Sequence, residues 1–133
     1  MKKKKFETAA APIPSRHIAQ VSLSPTGVAY LSGQISQDLA TGEPIHSSVA
    51  EQTFTILSNI QKIVESLGAG MDDVIKCNCF VSSMDVFPEM DRVYREFFSE
   101  ENPPARQTVA AGIWAGLDVE ISCEVLLPPQ ARP

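Results

Sequence analysis

Apolar residues recur along this chain with two different periods, and the periods separate helices from strands. From Ser47 to Gly68 the positions Val49, Thr53, Ile56, Leu57, Ile60, Ile63, Val64 and Leu67 fall at spacings of three and four, which gathers them on one stripe of a helix. Ser48 followed by Glu51 has the form of a capping box, and Gly68 suits the left-handed residue that ends a helix. A second helix is predicted from about Val86 to Ser99. Asp85 serves as its N-cap, Pro88 is tolerated in its first turn, and Phe87, Met90, Val93, Tyr94 and Phe97 line one side. Pro103 and Pro104 forbid its continuation.

The rest of the chain alternates. Strands are predicted at His17 to Ser24, Val28 to Ile35, Asp73 to Ser82, Ala105 to Ala111 and Leu117 to Leu127. Pro25, Thr26 and Gly27 make a hairpin turn between the first two, and Thr41-Gly42 marks a turn in the polar loop before the first helix. The order β-β-α-β-α-β-β gives an α+β domain with a mixed sheet. Two helices can cover one face of such a sheet but not both, so the other must meet another sheet, another subunit or water. Its strands are apolar enough that an oligomer packed through the sheet faces is expected.

At 133 residues the chain fits a single domain over 1–133, and 44% apolar with 20% charged residues is enough to bury a core. A net charge of -5 argues against a surface built to neutralise phosphates. Lys2 to Lys5 are followed by Phe6, Glu7 and Thr8 rather than an apolar run, so the segment 1–10 reads as a frayed terminus, not a secretory signal. No segment reaches the ~18 consecutive apolar residues of a membrane span. Cys77, Cys79 and Cys123 are an odd set without metal-site or disulfide spacing, which points to a reducing compartment and a cytoplasmic protein. Cys77 and Cys79 alternate with polar residues, so both thiols fall on one strand face as small buried hydrophobes.

Only His17 and His46 are available for a triad or a metal site, and no glycine-rich phosphate loop exists, so a cofactor-free, metal-free reaction or simple binding is left. Arg106 starts a strand after a rigid double proline. Its fork of donors matches a carboxylate, although such an arginine also serves as a surface ion-pair partner. Glu120 alternates with Val119 and Ile121: it is either part of a solvated strand face, with Glu124, or a general acid or base tuned by partial burial. Ser32-Gly33-Gln34 ends the second strand, where Gly33 either admits a ligand close to the backbone beside the Ser32 hydroxyl or makes a bulge.

Taken in order, Leu31-Ser32-Gly33-Gln34-Ile35, Thr41-Gly42-Glu43, Val49-Ala50-Glu51-Gln52-Thr53, Asn59-Ile60, Met71-Asp72-Asp73-Val74-Ile75-Lys76, Val93-Tyr94-Arg95-Glu96-Phe97-Phe98 and Pro104-Ala105-Arg106 resemble the Rid family, the YjgF-like reactive intermediate deaminases. The resemblance runs from about residue 16 to residue 127. It implies a chorismate-mutase-like fold assembled as a homotrimer with clefts between subunits. It also implies hydrolytic deamination of enamines or imines such as 2-aminoacrylate to 2-oxo acids and ammonia. Arg106 would then bind the substrate carboxylate, Ser32 and Gly33 would line the same cleft, Glu120 would activate water, and backbone groups near Thr108 would complete the pocket. Pro14-Ser15-Arg16-His17 stands near the Gly-Pro-Tyr segment of many members, beside a hairpin about two residues longer: either His17 takes the place of the cleft tyrosine, or the alignment slips there. Asp91 occupies a position where asparagine is frequent and adds a negative charge near Arg106. Three other activities fit the same resemblance: a non-catalytic binder of small carboxylates, a deaminase of a larger substrate such as 2-aminomuconate, and an endoribonuclease-like translation inhibitor.

Overall fold

Every residue of the apolar stripe between Val49 and Leu67 is buried, and the helix that carries it, α1 (Val49–Ser66), lies over the core. Ser48 caps it: its hydroxyl oxygen accepts from the Glu51 N–H at 3.1 Å and the hydroxyl is 3.0 Å from Oε1 of Glu51. Gly68, at φ 79°, follows the last turn in the left-handed conformation that a side chain would disfavour. Each fully buried leucine or isoleucine of the stripe contributes about 1.5–3 kcal/mol.

In the computed structural model, which describes residues 2–133, both helices pack on one face of a six-stranded mixed sheet. The strands are β1 (Lys4–Phe6), β2 (Val21–Leu23), β3 (Val28–Gln34), β4 (Val74–Val81), β5 (Ala105–Ala110) and β6 (Val119–Leu126), in the order β1-β2-β3-β6-β4-β5. The β4–β5 pair is parallel and every other pair is antiparallel. The crossover between β4 and β5 carries the second helix, α2 (Phe87–Tyr94), as a parallel connection requires.

Four expectations are corrected. Lys4 and Lys5 do not fray: with Phe6 they pair with Leu23, Ser22 and Val21, so backbone hydrogen bonding to an open sheet edge orders a segment with little to bury. The strand expected from His17 begins only at Val21, because His17 sits at φ 72° in a turn that no strand accommodates. The second helix stops at Tyr94, and Phe97 and Phe98 pack against the core from successive turns. Asp85 does not cap that helix; Ser83 accepts its N–H at 3.1 Å within a preceding 3₁₀ turn, and Val86 holds the N-cap position.

Side-chain parity sorts the sheet. Cys77, Cys123 and Arg106 share a row on the helix-covered face, as do Cys79, Ile121 and Thr108. Glu120, Phe80 and Val109 share a row on the other face, which also exposes Tyr30 and Leu126 and which no helix covers. Among the described residues no helix is long and apolar enough to cross a membrane.

Candidate active site

A bulge near the end of β3 builds the centre of the site. Leu31 pairs with Cys123 and Gln34 with Ile121, so β3 holds one more residue between these pairs than β6 does, and Ser32-Gly33 take up the excess. The two sequence readings of Gly33 are therefore both true of this structure: it lies in a bulge, and its bare Cα receives another group at close range. That group is the Glu120 carboxylate, which a Cβ at position 33 would overlap.

Glu120 is half-buried, and burial pushes its carboxyl above the ordinary value of 4.5. Its strand is aimed by Asp118, whose N–H donates to Gln52 Oε1 at 2.9 Å and whose Oδ1 accepts from the Ser82 hydroxyl at 2.7 Å. The Ser32 hydroxyl donates to the Ala19 carbonyl at 2.5 Å, and the Ser32 N–H donates to the Gln20 carbonyl at 3.0 Å. The hydroxyl hydrogen is thus engaged within the protein, and the oxygen's lone pairs are what Ser32 offers a ligand.

Ser32, Gly33 and Glu120 line one cleft of about 630 Å³, within the roughly 300–1,000 Å³ range of small-molecule sites. Its other wall is the segment around Ile13 and Pro14, which the buried Gln20 amide fastens: Nε2 donates to the Pro12 carbonyl at 2.9 Å and Oε1 accepts the Thr8 N–H at 2.8 Å. Trp114 closes a third side. Neither Gln20 nor Trp114 stands out in the sequence analysis. A glutamine in a strand-like run carries no pattern, and the one sign of Trp114 is that a large apolar residue interrupts a polar loop.

Arg106 and Thr108 are not brought to this cleft within one chain. They point from the opposite face of the sheet, toward α2. The Arg106 guanidinium lies over the rings of Tyr94 and Phe87, 4.6 Å and 5.3 Å from their centroids, and Nη1 donates to Asp91 Oδ1 at 2.6 Å. Arg95 Nε donates to the other oxygen of Asp91 at 2.8 Å. Burial alone would raise the Asp91 carboxyl, but the hydrogen bonds and charges of Arg106 and Arg95 outweigh it and hold it below 3.8. Thr108 Oγ1 is buried without a hydrogen-bond partner. His17 is exposed and lines a neighbouring depression with Lys5, Glu7 and Arg16 instead of the Glu120 cleft. Among the described residues no cluster of three or more His, Cys, Asp or Glu could hold a metal ion.

The mixed sheet, its two helices and the cleft at the β3 bulge define a chorismate-mutase-like α+β domain. The profile of the family described as Endoribonuclease L-PSP matches residues 8–126, and the chain belongs to that family, the YjgF-like Rid proteins. It is 34% identical over 108 residues to the 2-iminobutanoate/2-iminopropanoate deaminase of Dermatophagoides farinae, covering 80% of this chain and 82% of that one. It is 36% identical over 74 residues to a RutC family protein of Pyrococcus abyssi, a match spanning 56% of this chain and 58% of that one. Among solved structures, a Thermotoga maritima protein named as a candidate endoribonuclease superposes with a TM-score of 0.87 at 31% identity, over 96% of this chain and 99% of that one.

Proposed function

We propose that the protein is a cytoplasmic hydrolase that converts imines and enamines of small amino acids into 2-oxo acids and ammonia. The observation that carries this reading is the Glu120 carboxyl: its proton affinity is raised by burial, and it lies against Gly33 in a cleft of small-molecule size. The similarity to a 2-iminobutanoate/2-iminopropanoate deaminase supports the same chemistry.

In this reading the protein works as a homotrimer. The face of the sheet that carries Glu120 also carries exposed Tyr30, Val109 and Leu126, and a neighbouring copy packed there would bring its own Arg106 and the strand around Thr108 to the Ser32–Gly33–Glu120 cleft. The neighbour's guanidinium holds the substrate carboxylate. Glu120 takes a proton from water as the water oxygen bonds to the imine carbon, and the C=N electron pair moves onto nitrogen. Glu120 then returns that proton to the nitrogen; the proton of the new hydroxyl passes through Glu120 to the same nitrogen as the C=O bond forms and the C–N bond breaks, so that ammonia leaves and the 2-oxo acid remains. His17 stays at the rim. Such imines hydrolyse unaided in water, so the protein supplies only a few kcal/mol of barrier lowering, each ~1.4 kcal/mol being tenfold.

A pyridoxal-phosphate threonine dehydratase would supply 2-aminocrotonate, and the appearance of 2-oxobutanoate would be timed with and without the protein. Acceleration is expected. Unchanged hydrolysis by folded protein would remove the deaminase reading and leave carboxylate binding. The description of the family favours a second reading, RNA cleavage, which a nuclease-free preparation incubated with RNA would reveal and which the net charge of -5 opposes.

A further inference from the structure

The cleft beside Glu120 is much larger and more apolar than a three-carbon acid needs. Three large apolar side chains, Ile13, Ile18 and Trp114, each at least half exposed, line the same cleft as Gly33 and the Glu120 carboxyl. Trp114 is the chain's one tryptophan and is 60% exposed. Apolar rings and branched side chains gathered on the walls of one cleft offer surface that a ligand's apolar group can cover.

Trp114 is also held in place. The residue after it, Ala115, adopts φ 59°, an uncommon conformation for a residue with a side chain. His46 reaches across from the loop before α1 to bond the Ala115 carbonyl through Nε2 at 2.6 Å, and a 3₁₀ turn from Trp114 to Gly116 completes the anchor. Opposite, the Gln20 amide fixes Pro12, next to Ile13. Both apolar walls thus stand on backbone pinned by side chains outside the cleft.

We propose that Trp114, with Ile13 and Ile18, forms a specificity wall that selects imino and 2-oxo acids carrying a branched or aromatic apolar side chain over those carrying a methyl group. The proposal rests on the reading of the Glu120 cleft as a site for small 2-oxo and imino acids. With the reacting carbon at Glu120 and Ser32, a substrate side chain that packs on these walls of the same cleft removes apolar surface from water on both partners. A few added methylenes in such a pocket are worth at least about tenfold in affinity.

Calorimetric titration of the full-length protein with 4-methyl-2-oxopentanoate and with pyruvate tests this, with quenching of the lone tryptophan's fluorescence locating the branched acid. The branched acid is expected to bind at least about tenfold more tightly. Trp114→Ala, whose exposed side chain carries no part of the core, should weaken the branched acid more than pyruvate and reduce that preference to under about threefold, whereas Trp114→Phe should keep it. Equal binding of the two acids by the unaltered protein, or an unchanged preference in Trp114→Ala, overturns the wall and leaves the acid site standing. Failure of both acids to bind overturns the site and the wall together.

Discussion

Asp91 Oδ1 lies 2.6 Å from Arg106 Nη1, so the guanidinium proposed to receive a substrate carboxylate already holds one of the protein's own. The Asp91 side chain is only 12% exposed, against 25% for Arg106, and Arg95 engages its second oxygen. An incoming acid therefore meets an arginine whose charge is partly neutralised. Asp91→Asn should lower KM for the imino acid several-fold with kcat nearly unchanged. Steady-state kinetics in the dehydratase-coupled assay separate the two constants, and a higher KM would show that Asp91 is needed to orient the arginine.

The same pair sets a pH dependence. The Asp91 carboxyl titrates lower in the folded protein than the 3.8 expected of it unfolded, so its stabilisation is complete above about that pH and is lost as the pH falls through the lowered value. Thermal unfolding should find Asp91→Asn less stable than the parent by roughly 1–3 kcal/mol at neutral pH. The gap should close in acid.

Glu120 behaves in the opposite sense. Its carboxyl is raised by burial, so its favourable contribution is present below the ordinary 4.5 and is lost as the pH rises through the raised value. Glu120→Gln should unfold at the same or a higher temperature than the parent at pH 7, the difference vanishing below about pH 4. Deamination should fall by roughly 10²–10⁴-fold, the usual contribution of a general acid or base. Loss of stability together with activity would make Glu120 a structural residue.

Gly33→Ala places a methyl group where the Glu120 carboxylate now rests. The obstructed atoms are the end of a flexible side chain, so the carboxylate can swing aside and stability should change by no more than about 1 kcal/mol. Turnover should drop at least tenfold because the proton acceptor has moved. Circular dichroism melts alongside the coupled assay distinguish displacement from misfolding.

Cys77 and Cys123 face each other with sulfurs 3.4 Å apart, and burial pushes the neighbouring Cys79 thiol up to about 12. All three side chains are sealed beneath the helices. Iodoacetamide at pH 8 should leave them unmodified in the native protein and label all three once it is unfolded, as mass spectrometry would count. Rapid native labelling would reveal frequent opening of the α2 side of the core.

The helix α1 could be read from the sequence because its stripe runs five turns and each of its apolar positions is independently placed by the same period. The end of the second helix could not, since Phe97 and Phe98 keep facing the core through tight turns whose spacing mimics a helix. β1 was invisible for the opposite reason: four consecutive lysines present no apolar alternation, and their order comes from the backbone of β2. At the site, Ser32, Gly33 and Glu120 share a motif pattern and one cleft. The Asp91–Arg106 ion pair joins residues on separate elements, and the wall at Trp114 depends on a hydrogen bond from His46, 69 residues before Ala115. The first was anticipated only through the family resemblance, which sets the Asp91 charge near Arg106, and the second leaves no local signature.

The last strand of the chain, β6, lies between β3 and β4 at the middle of the sheet. A nascent polypeptide therefore cannot close its sheet until β6 has left the ribosome tunnel, and until then β3 and β4 each present a bare edge to solvent. Closure of the sheet during synthesis is accordingly held back until β6 has emerged, and any chaperone dependence would then follow from strand order and not from weak interactions.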